Sequence, residues 1–175
     1  MNPLTPCDVP ADSAIGREVV EAAYFRDSYR APLSRGDLGI VPVYAAIFGH
    51  SPLVVKLLLV ARNAVAGLAG LEVPAVRDVM RFQLREPYGV GDKIGRWPIF
   101  AIDAAEIVAG RDNKHLDFRV SVLKATDQDG RASVTVSTVC STHNLAGKIY
   151  LFFVVPFHRF GVQALISRAV AARRL

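Results

Sequence analysis

Two stretches of the chain alternate between apolar and polar residues, which is the pattern of β-strands with one buried face. In "HLDFRVSVLKA", residues 115 to 125, the apolar positions are Leu116, Phe118, Val120 and Val122. "RASVTVSTVCST", residues 131 to 142, repeats the same period, and "TDQDG" connects the two. The sequence therefore predicts an antiparallel hairpin in which His115, Asp117, Arg119 and Ser121 point to the opposite face, toward solvent.

The register of this hairpin follows from the length of its loop. The two apolar faces coincide only if the loop has an odd number of residues, because a slip of one residue reverses the faces. A loop of Gln128, Asp129 and Gly130 satisfies this condition, with glycine in the left-handed position of a bulged turn. The predicted pairs are Val122 with Val136, Phe118 with Cys140, Asp117 with Ser141, and His115 with His143.

The region before the hairpin predicts one strand, two helices and a second hairpin. The first strand runs from about Val19 to Ala31 and is stopped by Pro32. Asp37 is the predicted N-cap of "LGIVPVYAAIFG", which Gly49 ends, and "SPLVVKLLLVARNAVAGLAG" is the second helix. A turn-rich stretch precedes "RWPIFAID" and "AEIVAGRD", which form a hairpin around Asp103.

The last 32 residues, from "NLAGKIYLFF" onward, have a helical character. Thr142 or Asn144 is the expected N-cap. Pro156 lies inside the pattern, so we expect a kink or a break at about Val155.

This order of elements predicts an α+β fold. A curved antiparallel sheet wraps around a long C-terminal helix, and a helical pair follows the first strand. A chain of 175 residues has the length of one domain. We expect a flexible, proline-rich tail over residues 1 to 18 and a single domain over residues 19 to 175.

Composition and charge narrow the functional classes. The chain is 51% hydrophobic, which argues against disorder, and its net charge of +5 comes from scattered basic residues. Because there is no basic stripe with interleaved aromatics, we expect no nucleic-acid binding. Arg168, Arg173 and Arg174 cluster at the C-terminus, either as a solvated helix end or as a peripheral contact with an anionic membrane.

Cysteine content and targeting signals point to the cytoplasm. Cys7 and Cys140 are far apart in the chain and have neither disulfide nor zinc spacing. The N-terminal stretch has no apolar segment of the signal-peptide type, and neither "PLVVKLLLVARNAVAGLAGL" nor "IYLFFVVPF" is a convincing membrane span. We expect a cytoplasmic protein.

Four segments carry a family resemblance: "FRDSYRAPLS", "IFGHSP", "GRDNKHLDFRVSVL" and "STVCSTHNLAGKIYLFFVVPFHR". In this order they resemble the uncharacterised bacterial family known as domain of unknown function 2867, over about residues 20 to 170. The resemblance implies a relation to the START and polyketide-cyclase helix-grip superfamily (SRPBCC), with a sheet gripping a C-terminal helix around a hydrophobic pocket. The family has no established activity, so no catalytic residue is carried over.

Two sets of candidate residues follow. The predicted pocket for a small apolar ligand is lined by Phe118, Val120, Val122, Val134, Val136, Phe152 and Phe153. The polar candidates are His115, Asp117, Arg119, His143, Asn144 and His158. For His115, His143 and Asp117 we weigh a metal site, acid–base chemistry and a structural network, of which the network is favoured because this strand face points away from the pocket.

The favoured function is binding of a lipid-like or polyketide-like molecule, with no cofactor and no metal. The alternative is a cyclase- or hydrolase-type enzyme that uses polar groups in the same pocket. The two differ in whether a polar group reaches inward. His158 and Arg159 are expected at the surface or at a pocket mouth, and His50 is expected to serve the turn between the two helices.

Overall fold

The computed structural model describes residues 4–50 and 87–175. The second predicted helix and most of the turn-rich stretch lie outside the described residues. The elements in chain order are β1 (Thr5–Pro6), α1 (Arg17–Glu21), β2 (Phe25–Pro32), α2 (Ile40–Phe48), β3 (Lys93–Ile94), β4 (Trp97–Ile102), β5 (Glu106–Arg111), β6 (Leu116–Thr126), β7 (Ala132–Thr142) and α3 (Leu145–Ala171).

The strands in the described part of the chain form one antiparallel sheet in the order β1-β2-β7-β6-β5-β4-β3. One side, the inner face, packs against α2 and α3 and holds the core, which includes the fully buried Val122, Val134 and Val136. The opposite side, the outer face, carries Ser121 and Val139. The predicted α+β class, with a sheet against a long C-terminal helix, is confirmed.

The central hairpin has the predicted register. β6 and β7 pair Val122 with Val136 and Phe118 with Cys140, among the other expected pairs. The turn holds Gln128 to Gly130, and Gly130 has a φ of 78°, the left-handed value for which glycine is favoured. Its amide donates to the carbonyl oxygen of Asp127 at 3.0 Å.

The N-terminal region differs from the prediction. The chain forms the short helix α1 where the first strand was expected to begin, and β2 starts only at Phe25. Thr5 and Pro6 pair with β2 as an edge strand, so this part of the expected tail is joined to the sheet. Proline at such an edge leaves no ladder hydrogen bond unmade, which explains why a proline-rich segment can occupy it.

A buried carboxylate holds this N-terminal segment on the outer face. Glu106 of β5 is buried and accepts hydrogen bonds from the Ser13 hydroxyl at 2.6 Å and from the Ala14 amide at 2.7 Å. The Ser121 hydroxyl donates to the same carboxylate. Ser121 is therefore fully buried, and the prediction that it faces solvent is wrong.

Among the described residues, two of the three predicted helix ends follow local chemistry, and so does one predicted turn. Gly49 caps the C-terminus of α2 and Asn144 caps the N-terminus of α3, where its side chain accepts from Gly147 at 3.2 Å. Asp103 stabilises the β4–β5 turn, because its Oδ1 atom accepts hydrogen bonds from the backbone amides of Ala105 and Glu106. Asp37 is not the cap of α2, since that helix begins after Gly39 without a side-chain cap.

Helix α3 continues through Pro156, so the predicted break is wrong. A proline inside a helix removes one backbone hydrogen bond and crowds the preceding turn. Leu151 before it and Val162 after it are both buried against the sheet. Packing on both sides of the proline holds both halves of the helix on the sheet.

Candidate functional site

The polar groups predicted on strand β6 form a network on the outer face and at the end of the hairpin. The Nε2 atom of His143 lies 3.0 Å from Oδ2 of Asp117, and Nδ1 of His115 lies 3.2 Å from Oδ1 of Asn144. The guanidinium of Arg119 is paired with Asp112 at 2.6 Å. The predicted polar residues of the hairpin therefore lie close together, and each of them contacts a neighbouring polar side chain.

This network has a structural role that its contacts explain. Asp117 also accepts from the Asn113 amide at 3.0 Å, and Asn144 donates to the Lys114 carbonyl at 3.0 Å while it caps α3. Within residues 4–50 and 87–175, no group of three or more His, Cys, Asp or Glu side chains could hold a metal ion. The contacts therefore fix the β5–β6 loop and the start of α3.

His158 is the polar candidate that points inward. Its Nε2 atom lies 3.1 Å from the Thr138 hydroxyl on β7 and 3.5 Å from Oδ1 of Asp27 on β2. Its side chain is 22% exposed and that of Asp27 is 9% exposed. Of the two expected positions of His158, at the surface or at a pocket mouth, the first is wrong, and the sheet–helix interface contains a carboxylate–imidazole pair.

Two further polar side chains extend this cluster along the interface. The Tyr29 hydroxyl donates to Oδ2 of Asp27 at 3.4 Å and accepts from the Gln163 amide at 3.2 Å. Burial raises the pKa of Tyr29, and the nearby charge of Asp27 raises it further, so the phenol stays protonated. We refer to Asp27, Tyr29, Thr138, His158 and Gln163 as the interface cluster.

One atom of the interface cluster is left without a hydrogen bond. Oδ1 of Asp27 is buried and has no hydrogen-bond partner, since the His158 nitrogen is at ion-pair distance without bonding geometry. An unsatisfied buried acceptor costs about 1–3 kcal/mol. Native structures retain such atoms rarely, and often at sites that bind or react.

Cys140 lies beside this cluster but is not a nucleophile candidate. Burial, followed by the charge of Asp27, raises the pKa of its thiol to about 12. A thiol with such a pKa is almost entirely protonated at neutral pH, and the thiolate is the reactive form. Cys140 therefore acts as a small apolar side chain.

The interface cluster separates two apolar regions on the inner face. The main core lies on one side and includes Val162 and Ile166 of α3. The smaller region lies on the other side and joins the buried Leu116, Cys140 and Leu151 to the partly buried Phe25, Phe118, Tyr150 and Val155. The Phe25 ring meets the His158 ring edge to face, with centroids 5.9 Å apart.

The predicted pocket residues do not lie together: the structure places them in the main core, in the smaller apolar region and on the exposed side of α3. Val122, Val134 and Val136 are fully buried in the main core and Val120 packs against it, so they contact other side chains. Phe118 belongs to the smaller apolar region and meets Trp97 edge to face at 4.7 Å. Phe152 and Phe153 are largely exposed on α3, so their predicted position against the sheet is wrong.

Two open clefts lie in the described part of the chain. One has a volume of about 560 Å³ and lies beside the start of α2, where Ile40, Pro42 and Tyr88 line it. The other, of about 320 Å³, lies on the outer face between α1 and strand β6, near Asp117 and Arg119. Neither is lined by the interface cluster.

Fold and site together define an α+β domain with a sheet against one long C-terminal helix and a buried polar cluster between them. The chain belongs to the family described as Protein of unknown function (DUF2867), whose model matches residues 19–165. No curated protein and no solved structure has significant similarity to it.

Sequence reasoning missed Asp27, although the sequence contains a signal for it. In "FRDSYRA" the alternate positions are Phe25, Asp27, Tyr29 and Ala31, so one acidic residue occurs on an otherwise apolar strand face. An ionisable group at such a position is a candidate for a site.

Proposed function

We propose that this protein binds a small, largely apolar molecule that carries one hydrogen-bond donor. The observation that carries the proposal is the buried Oδ1 atom of Asp27, which lies in the sheet–helix interface without a hydrogen bond. A hydroxyl or amine on the ligand would supply the missing donor. Such a ligand belongs to the lipid-like class expected from the sequence and carries a donor in addition.

The surroundings of Asp27 support an apolar body for the ligand. The smaller apolar region begins at Phe25 and Cys140, directly beside the carboxylate, and several of its aromatic and aliphatic members are only partly buried. Ligand sites in proteins commonly combine an apolar lining with a few placed polar groups. Phe118 remains a proposed ligand contact in this region.

A test compares a long-chain alcohol with its methyl ether, which has the same apolar chain but no donor. The alcohol should bind more tightly to the wild-type protein by at least about ten-fold, since one hydrogen bond to a charged group contributes about 1.5–3 kcal/mol. Asp27→Asn should remove this preference, because the amide no longer provides a charged acceptor.

The chain offers a matched control in its second carboxylate–imidazole pair. Asp117→Asn and His143→Gln alter the outer-face pair, whose atoms are 3.0 Å apart, and should leave alcohol binding unchanged. Isothermal titration calorimetry on the four variants Asp27→Asn, His158→Gln, Asp117→Asn and His143→Gln makes the comparison. Equal losses at both pairs would contradict the assignment of the ligand to the inner face.

The inward orientation of His158 favours a second candidate, an enzyme of cyclase or hydrolase type. An imidazole beside a buried carboxylate is a common arrangement for transferring a proton to or from a substrate. Native mass spectrometry of the purified protein, before and after incubation with the molecule that co-purifies, separates the two functions. An unchanged ligand mass supports binding, and a changed mass that His158→Gln prevents supports catalysis.

We also propose a relation to the START and polyketide-cyclase helix-grip superfamily and a cytoplasmic location. The order of elements, with a long terminal helix packed on an antiparallel sheet, supports the first. The free thiols of Cys7 and Cys140 support the second, because the cytoplasm keeps cysteines reduced.

A further inference from the structure

Helix α3 has a second face that does not contact the sheet. Six large apolar side chains on it are between 52% and 79% exposed: Leu145, Ile149, Phe152, Phe153, Phe157 and Phe160. Their spacings of three, four, seven and eight residues place them on one side of a helix. We call these six residues the aromatic face.

The aromatic face is unusual for a surface in water. Single exposed apolar side chains are common, but contiguous apolar patches usually mark a contact with a partner or a membrane. Among the described residues, α3 is the helix that is long and apolar enough to span a membrane. It cannot be surrounded by lipid in this fold, however, because Leu151, Val162 and Ile166 are buried against the sheet.

The charges around the aromatic face identify its partner. Helix α3 (Leu145–Ala171) contains no aspartate or glutamate and carries three basic residues, Lys148, Arg159 and Arg168. Arg173 and Arg174 follow its end. A helix with an apolar face and basic flanks is the pattern of a helix that lies in the interface of an anionic bilayer.

We propose that the aromatic face and its basic flanks bind the surface of an anionic lipid membrane, with α3 lying parallel to the bilayer. The phenylalanine rings enter the boundary between headgroups and acyl chains, and Lys148, Arg159 and Arg168 contact lipid phosphates. A second copy of the chain is a poorer partner. A symmetric contact through α3 would bring two basic helices together without an acidic residue on either.

The first test is co-sedimentation with vesicles of phosphatidylcholine and phosphatidylserine in equal parts, and with vesicles of phosphatidylcholine alone. The wild-type protein should bind the mixed vesicles and bind the neutral ones at least about ten-fold more weakly, since each basic residue near an anionic surface strengthens binding about five-fold. Added salt should weaken binding to the mixed vesicles.

Variants separate the apolar and the charged contributions. The double change Phe157→Ser, Phe160→Ser should reduce binding to mixed vesicles at least about ten-fold, because two rings that enter the membrane are lost. Lys148→Gln and Arg168→Gln should each reduce it about five-fold. Val90→Ser is the matched control, since Val90 is an exposed apolar residue outside α3 and its removal should change nothing.

A tryptophan probe tests the orientation. Phe157→Trp and Val90→Trp both retain the single native Trp97, so the added tryptophan is the difference between them. Brominated lipid should quench the added fluorescence in Phe157→Trp and not in Val90→Trp. Equal quenching in both variants would contradict α3 as the bound element.

Two other outcomes would overturn the proposal. Vesicle binding that the double serine variant leaves intact would show that another surface is responsible. A fall in Tm for that variant without vesicles, or a concentration-dependent dimer that it dissociates, would show that the face is covered by the chain itself or by a second copy. Exposed phenylalanines predict an unchanged Tm and a monomer for the variant in solution.

Discussion

Replacing Asp27 by asparagine should raise the stability of the protein while it removes the preference for a ligand with a hydrogen-bond donor. The carboxylate is 9% exposed on its side chain, and Oδ1 has no hydrogen bond. Asparagine has nearly the same size and carries no charge, so it removes the extra cost of leaving a charged oxygen without a donor, although its amide oxygen is still an acceptor. An unsatisfied buried acceptor costs about 1–3 kcal/mol when it is neutral and more when it is charged.

Some stabilising contacts are lost in the same change, which limits the gain. The Tyr29 hydrogen bond at 3.4 Å is long, and the His158 contact at 3.5 Å lacks bonding geometry, so both contribute little. We expect Asp27→Asn to raise the free energy of unfolding by about 1 kcal/mol. For a domain of this size, the corresponding rise in Tm is about 2–4 °C.

The assay is thermal and urea unfolding of Asp27→Asn beside Asp117→Asn. The control residue has a comparable imidazole partner at 3.0 Å, but its side chain is 33% exposed and its oxygens are bonded, so its replacement should lower the stability slightly or leave it unchanged. A fall of about 3–5 kcal/mol for Asp27→Asn would refute the reasoning, because that is the loss expected when a buried ion pair of structural importance is broken.

Three further predictions rest on single positions. Gly147→Ala should destabilise the protein by a few kcal/mol, since a Cβ added at the start of α3 would clash with the backbone carbonyl of His115. Gly161→Ala in the same helix meets open space and should stabilise the protein by up to about 1 kcal/mol, and thermal unfolding compares the two variants. Ser121→Asp should prevent stable folding, measured by circular dichroism, because it would place a second buried carboxylate beside Glu106. In the native protein Cys140 should resist thiol reagents at pH 8 while the half-buried Cys7 reacts, and mass spectrometry should find both labelled in urea.

The central hairpin could be predicted because its determinants are local. The register is fixed by a two-residue period, a loop with an odd number of residues and a glycine at the left-handed position. All three features lie close together in the sequence. The caps at Gly49 and Asn144 follow from similarly short-range chemistry. The same locality accounts for the confirmed α+β class.

The burial of Ser121 could not be read in this way. The groups that cover it come from the N-terminal segment, and Ser13 is 93 residues from Glu106 in the sequence. A polar residue on an alternating strand indicates solvent unless a distant segment covers it, and the strand pattern contains no information on that segment. The prolines before residue 11 suggested a free tail, whereas Pro6 belongs to a strand at the sheet edge.

The inward orientation of His158 was within reach of the sequence. The buried positions Leu151, Val162, Ile166 and Ala169 have helical spacing, and His158 falls on the same side, seven residues after Leu151. Because a kink or break was expected near Pro156, the helical spacing was not extended from Leu151 to His158. Packing on both sides of the proline preserved the helix, and a tertiary effect of this kind outweighs a local preference.

The strand order has a consequence for how the chain folds during synthesis. Strand β2 pairs with β7, and the paired residues Ser28 and Ser137 are 109 residues apart in the sequence. The ribosome must therefore release most of the chain before β2 finds its neighbour, whereas β4 to β7 can form an antiparallel meander from consecutive segments. We expect the β4–β7 meander to assemble first and the β1–β2 edge to join it late, so that the nascent chain holds Asp27 away from His158 until translation is nearly complete.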